Sequence, residues 1–353
     1  MHSPEILETT LRDGSYAINY SFTAADTSTI CKELEKAGFR HIEIGHGVGL
    51  NGSNKGYGMA AATDEEYLTA AKSALKKAKY GMFCIPGIAR LEDLDLAHKH
   101  GMGFIRVGTN ITEVEKSEEF IKKAKDCGML VAGNYMKSYA LSPEKFAEKV
   151  KLSERYGADL VYIVDSAGGM FSENVLSYVK AIRKVSDIDL GFHGHDNLGL
   201  AVANSITAAE NGVKFIDSSL QGLGRSSGNA STEILVAALR KKGFKIDLDF
   251  LKILEIGQKY IQPLITVKGK MPLDIVAGYA DFHSSYMHHI QKYSAKYGVN
   301  PYILIIELTK IDKINANEKV LDEIAKKIKK DEEFYIAKYG FGRYVGGEQD
   351  ERR

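Results

Sequence analysis

The run "LGFHGHDNLG" (190–199) places two histidines, His193 and His195, two positions apart on a segment of strand character. Residues at that spacing on a strand share one face, so both imidazoles project together. Two imidazoles held a few ångströms apart cannot both be protonated cheaply, and a divalent cation is the usual reason to hold them so. A second run, "LRDG" (11–14), closes another strand-like segment on Arg12 and Asp13. With Asp13 added, the set becomes two histidines and one carboxylate. Such an N/O set suits Mn²⁺, Mg²⁺, Co²⁺, Fe²⁺ or Zn²⁺ and leaves positions open for substrate and water. Arg12 beside it reads as a donor aimed at a developing oxyanion. Glu43, in "HIEIGH" (41–46), is expected to pair with Arg12 or with a metal-bound water. The backbone amides of "GLGRSSGN" (222–229) are suited to cradle a carboxylate or phosphate, and Asn229 to orient or touch the metal.

These residues need a scaffold that brings distant strand ends to one place. Strand-length apolar runs fall at 5–11, 41–46, 80–87, 104–109, 130–137, 160–166, 190–195 and 215–222, with amphipathic helical stretches between them. Gly38, Gly101, Gly128, Gly157 and Gly212 fit the left-handed position that follows a helix. Eight β-then-α units within about 240 residues predict an α/β fold, a (β/α)8 TIM barrel with its site at the strand C-termini. A doubly wound open sheet is the alternative. After residue 245 the helical stretches have no strands between them. The expected organisation is therefore a barrel over 1–245, a small helical C-terminal module over 246–330, and a polar, loosely ordered tail over 331–353.

The chain has 353 residues and a formal net charge of +1, with no basic block, which argues against nucleic acid or an anionic membrane as partner. No apolar run approaches membrane-spanning length, and "MHSPEILETTLRDG" lacks the pattern of a secretory signal. Cys31, Cys84 and Cys127 are odd in number and widely spaced, so a disulfide framework is not indicated and a reducing cytoplasm is expected.

Over roughly residues 6–310 the chain resembles the DRE-TIM metallolyases, the HMG-CoA lyase-like superfamily, and within it the 4-hydroxy-2-oxovalerate aldolases. The resemblance is carried by "TLRDGSYAI", "IEIGHGVGLNGS", "IPGI", "YIVDSAGGM", "HGHDNLGLAVANSI" and "SSLQGLGRSSGNAS", extended by "AGYADFHSS" and "YGVNPYILIIEL". It implies that Asp13, His193 and His195 bind a divalent metal, typically Mn²⁺, with Mg²⁺ or Co²⁺ as options. The metal would chelate a pyruvate-like 2-oxo acid, Arg12 would stabilise its enolate, and Ser166 with the adjacent glycine amides, Gly168 among them, would hold the carboxylate. The partner substrate would be an aldehyde, and a homodimer is implied by analogy.

Three departures from the aldolase pattern stand out. Tyr16 occupies the place of a catalytic histidine, and His283 that of its tyrosine partner; the expectation is a reciprocal swap, with the pair still moving a proton over the metal. Lys137, at the end of the fifth strand run, is expected either to reach a polar acceptor aldehyde or to snorkel to solvent. With Asn134 and Tyr135 it points to a more polar aldehyde than acetaldehyde. The stretch "TKIDKINANEKVLDEI" lacks the family's Gly-Gly segment, which makes an acylating aldehyde dehydrogenase partner doubtful. The competing readings are a Claisen-type synthase joining an acyl-CoA to a 2-oxo acid, a two-histidine, one-carboxylate iron oxygenase, and a catalytically silent binding protein.

Overall fold

The computed structural model describes residues 3–266, 270–332, 334–344 and 346–348. Eight parallel strands close on themselves in sequence order: β1 (Glu5–Glu8), β2 (His41–Glu43), β3 (Lys79–Cys84), β4 (Phe104–Asn110), β5 (Leu130–Met136), β6 (Leu160–Asp165), β7 (Asp189–Gly194) and β8 (Phe215–Ser218). The barrel is closed by β1 pairing with β8 through Glu5↔Phe215 to Glu8↔Ser218, which excludes the open sheet. The helices α1 (Ala24–Lys36), α2 (Asp64–Ala74), α3 (Leu91–Lys99), α4 (Glu118–Asp126), α5 (Pro143–Tyr156), α6 (Ser172–Arg183), α7 (Ala201–Glu210) and α8 (Thr232–Lys241) follow the strands in turn.

Local chemistry sets the element ends. Helix α1 starts at a reciprocal cap in which Thr23 accepts from the Asp26 amide and Asp26 accepts from the Thr23 amide. Helix α5 starts at Ser142 with Pro143 in its first turn and stops at Gly157, whose φ of 100° only glycine adopts freely. The strands are buried on both faces because helices cover the outside and side chains fill the inside, so each reads as a near-continuous apolar run.

Beyond the barrel lie α9 (Phe250–Ile256), α10 (Pro272–Ala280), α11 (Met287–Tyr297), α12 (Pro301–Thr309) and α13 (Glu318–Lys327). Ile253, Ile256 and Ile261 belong to the barrel core, so α9 packs on the barrel rather than in the module expected from residue 246 onward. Helices α10 to α13 share a second core built on Leu273, Ile290, Leu304, Leu308 and Leu321. The tail is not loose throughout. Tyr339 and Phe341 are buried in that second core, and Glu348 is 3% exposed. Among the described residues, no helix is long and apolar enough to cross a membrane.

Candidate active site

The barrel gathers the chemistry at the C-terminal ends of its strands. Asp13 follows β1; His193 lies in β7, with His195 just past its end. The three offer ligand atoms within 4.8 Å of one another, all on buried residues. His193 Nδ1 donates to Asp217 Oδ2 (2.8 Å) and His195 Nδ1 donates to the Gly228 carbonyl (3.2 Å). Each partner fixes the tautomer that leaves the Nε2 lone pair free, the arrangement by which proteins orient metal-binding imidazoles. Asn229 Nδ2 donates to Asp13 Oδ2 (2.8 Å), while Asn229 Oδ1 is buried without a hydrogen-bond partner. A buried carbonyl oxygen left unsatisfied beside a carboxylate and two imidazole lone pairs fits a divalent cation in the same place.

Electrostatics favour the binding-ready protonation states. Burial alone would raise the Asp13 carboxyl, but Arg12 and the two histidines hold it far below the usual carboxylate range. Burial pushes the His195 imidazole down to about 4 against the pull of Asp13, so it is neutral near pH 7.

A chain of alternating charges links one metal-ligand candidate to another through the barrel interior. Arg12 Nη1 donates to Asp13 Oδ1 (2.7 Å) and Arg12 Nε to Glu43 Oε2 (2.7 Å). Arg106, from β4, grips Glu43 through Nε (2.7 Å) and Nη2, and reaches Asp217 through Nη1. Asp217 closes the chain on His193. Burial would raise the Glu43 and Asp217 carboxyls, yet Arg106 holds both below their ordinary values, helped by Arg12 at Glu43 and by His193 at Asp217. The expected Arg12–Glu43 pair is present, and Glu43 is a strut of this chain with no exposed surface. The sequence reading missed Arg106 and Asp217. Their signal was a charged residue inside each of two strand runs, "FIRVGT" and "FIDSSL".

Arg12, Tyr16, Asn134, Ser166, His283 and Glu348 line a cavity of ≈ 40 Å³ together with the metal-ligand candidates. Arg12 Nη2 makes no hydrogen bond among the described residues and is available to a substrate oxygen. Ser166 Oγ accepts from the Lys137 amide (2.8 Å) and keeps its own hydrogen to give. Tyr16 and His283 share the cavity, but no hydrogen bond joins them. Burial pushes the Tyr16 phenol well above its ordinary value and, with the Arg225 and Lys137 charges, pushes His283 well below its own. His283 Nδ1 accepts from the Ser285 amide (3.2 Å) and lies 2.7 Å from Ser285 Oγ.

Two expected substrate contacts are placed elsewhere. Gly168 does not line the cavity, and its amide donates to the Asp165 carbonyl (3.2 Å). Its φ is 63°, and a Cβ there would meet the His195 carbonyl oxygen at 2.7 Å, so glycine is needed to fold the loop beneath His195. Lys137 does not line the cavity, although its charge acts on His283 there: Nζ donates to the Ile314 carbonyl (2.6 Å) and the Tyr286 hydroxyl (3.1 Å), with no exposed surface. Neither the reach to an acceptor nor the snorkelling to solvent is seen; the lysine ties β5 to the module. Tyr135 is likewise turned outward, bonded to Ser153.

Two further cavity residues were missed. Arg225, from the glycine-rich loop after β8, lies 4.5 Å over the Tyr16 ring and is ion-paired with Glu348 of the tail.

A closed (β/α)8 barrel with an Asp-His-His cluster at its mouth that could hold a metal ion, backed by an arginine–carboxylate chain, fits a metal-lyase type of site. The chain matches the HMGL-like family over residues 3–259 and a DmpG-like communication domain over residues 271–330, and it belongs to the HMGL-like family. It is 38% identical over 328 residues to a 4-hydroxy-2-oxovalerate aldolase of Carboxydothermus hydrogenoformans, covering 92% of this chain and 97% of that one. An aldolase of the same name from Moorella thermoacetica is 39% identical, covering 92% and 96%. Among solved structures, the N-terminal domain of a putative aldolase from Bacteroides vulgatus superposes with a TM-score of 0.68 at 27% identity, covering 79% of this chain and 93% of that one. The carboxyl transferase domain of Rhizobium etli pyruvate carboxylase shares the fold at 15% identity, with a TM-score of 0.74, covering 93% and 61%.

Proposed function

We propose that the chain is a divalent-metal-dependent carbon–carbon lyase that cleaves or forms a 4-hydroxy-2-oxo acid, with a pyruvate enolate as donor and an aldehyde as acceptor. The observation that carries this is the Asp13–His193–His195 cluster, with both histidine tautomers fixed for ligation, in a chain whose relatives over nearly its full length are named aldolases. Those names favour the aldolase over the synthase reading. Mn²⁺ is the proposed metal, with Mg²⁺ or Co²⁺ able to serve the same donors. When bound, the metal supplies Lewis-acid polarisation of the 2-oxo acid's keto oxygen.

The chain's own residues do the rest. Arg12 Nη2 donates to the enolate oxygen, which bears more charge than the ketone oxygen, so the contact strengthens toward the transition state. Ser166 holds the carboxylate. In the condensing direction C3 of pyruvate gives up a proton, the new bond forms between C3 and the aldehyde carbon, and the aldehyde oxygen takes a proton; cleavage is the reverse. His283 is the proposed proton carrier at the acceptor oxygen, with Tyr16 on the facing wall. The Ser285 amide favours the tautomer with hydrogen on Nε2; the Ser285 hydroxyl, 2.7 Å from Nδ1, can instead accept from Nδ1–H and free the Nε2 lone pair. His283 is kept uncharged near pH 7, as a base must be.

The acceptor is proposed to be more polar than acetaldehyde, because Asn134 and Glu348 add polar groups to the cavity wall. A homodimer in the cytoplasm is proposed by analogy with the family. The match of residues 271–330 to a communication domain weighs against the doubt raised by the missing Gly-Gly segment, and an acylating aldehyde dehydrogenase is the natural partner to test. The defining assay is pyruvate release from 4-hydroxy-2-oxovalerate by metal-stripped protein with and without added Mn²⁺. Release that needs the metal and is lost in H195A supports the reading; metal-independent release, or none with any divalent metal, overturns it.

A further inference from the structure

The matched family regions end at residue 330, yet the segment beyond them returns to the barrel mouth. Phe341 and Tyr339 anchor it in the module core, and Tyr344 Oη donates to Asp274 Oδ1 (2.8 Å). Arg343 Nη2 donates to the Ser226 carbonyl (3.0 Å) on the loop after β8. At Gly346 the backbone presses so close to Ser285 that a Cβ would lie 2.2 Å from its carbonyl oxygen, a contact only glycine allows. The Gly347 amide donates to the same oxygen (3.4 Å). Two glycines thus bring the chain flat against Ser285, and the next residue, Glu348, enters the cavity that holds the metal-ligand candidates.

Glu348 is positioned there, not merely sequestered. Oε1 accepts from Arg225 Nη1, and the paired side chains are 2% and 7% exposed. Arg225 is itself fixed by Nε donating to Ser284 Oγ (2.9 Å) and by its place over the Tyr16 ring. The second carboxylate oxygen makes no hydrogen bond among the described residues. That oxygen is open to the cavity, where a substrate hydroxyl can be its donor.

We propose that Glu348, delivered by the C-terminal tail and aligned by Arg225, is the specificity-determining residue of the acceptor side, accepting a hydrogen bond from a hydroxyl group of a hydroxylated aldehyde. The proposal rests on the aldolase reading above. It relocates the polar-acceptor character from Lys137 and Tyr135, which do not line the cavity, to the tail. A site built to bond a substrate hydroxyl discriminates strongly against the analogue lacking it, because the buried acceptor is then left unpaired.

The test compares glycolaldehyde with acetaldehyde as acceptors for pyruvate, as kcat/KM ratios, in wild type, E348Q and E348D. In E348Q the amide oxygen stays on Arg225 and an NH2 group replaces the idle oxygen. In E348D the charge opposite Arg225 is kept but the oxygen is withdrawn by one methylene. The wild type is expected to prefer glycolaldehyde, and both variants to lose roughly ten- to hundredfold of that preference, chiefly in the glycolaldehyde kcat/KM. If E348Q fails to fold, E348D decides alone. A ratio unmoved in the folded variants overturns the proposal, as does a rise with both aldehydes, which would make Glu348 a plug. Solvent exchange of the pyruvate methyl protons by the wild type reports the donor half-reaction alone. Its absence condemns the aldolase reading, whereas a failed ratio with exchange intact condemns only the role of Glu348.

Discussion

Replacing Arg106 by methionine tests the charge chain where it is most buried. The guanidinium is 1% exposed, lies between Glu43 (0%) and Asp217 (2%), and makes an ion pair with each. Methionine has adequate length and no charge, so the variant leaves two buried carboxylates facing each other, with Arg12 and His193 as their remaining partners. Breaking a buried pair from one side costs about 3–5 kcal/mol, because an uncompensated charge stays behind. With about 2.1 cal/mol/K of unfolding entropy per residue over 353 residues, that is a fall in Tm of roughly 4–7 °C. The pH dependence carries the sharper signature. In the wild type Arg106 holds both carboxyls below their ordinary values, a stabilisation present above the unfolded-state carboxyl range and lost on acidification. In R106M burial dominates and raises them, so the variant gains stability as pH falls through the raised values. The gap between the two proteins should therefore be widest near pH 8 and narrow toward pH 5. Melting curves of both proteins between pH 5 and 8 measure it. A gap below about 1 kcal/mol, or one that does not change with pH, would refute the reasoning.

Three further outcomes follow from the same geometry. D217N keeps a hydrogen-bond acceptor beside His193 but removes the charge; metal affinity, read by competition with a fluorescent chelator, should fall roughly 10- to 100-fold, and unchanged affinity would contradict the orienting role. S285A removes the hydroxyl that supports the Nδ1–H tautomer of His283 while leaving the amide; kcat should fall at least tenfold with little change in pyruvate KM, and an unaffected kcat would remove His283 as proton carrier. Burial pushes the Lys137 amine down to about 7. The unfolded chain then binds the extra proton between that value and the ordinary lysine range, so raising pH from 7 to 9 should stabilise the wild type by roughly 2 kcal/mol relative to K137M. Urea-denaturation stabilities of the two proteins that differ by the same amount at pH 7 and pH 9 would contradict it.

The barrel was legible because its evidence is periodic and local: eight apolar runs, mostly buried, with glycines closing the helices between them. The candidate metal-ligand cluster was legible for the same reason, since His193, His195 and Asp13 sit at the ends of recognisable runs. What escaped depends on distance and direction. Lys137 sits at a strand end, where side chains commonly enter the mouth, but its φ of 58° turns it toward Ile314 and Tyr286. Arg106 and Asp217 stood within predicted strands, yet only the barrel's closure brings Arg106 of β4 into reach of both Glu43 of β2 and Asp217 of β8. Glu348 lies 123 positions from Arg225 in a stretch with no periodicity, and its docking depends on a close backbone approach at Gly346 that no pattern of residue types encodes. The boundary of the module moved for a simpler reason: α9 is amphipathic whichever core it faces, and its isoleucines face the barrel.

The proposed function stands on Asp13, His193 and His195 holding a divalent metal that activates a 2-oxo acid. It is tested most directly by NMR of pyruvate in D2O with metal-stripped protein, before and after addition of diamagnetic Mg²⁺, in wild type and H195A. Methyl-proton exchange is expected to appear with the metal in the wild type and to be absent in the variant. Exchange that is equal without metal, or equal in H195A, would contradict it.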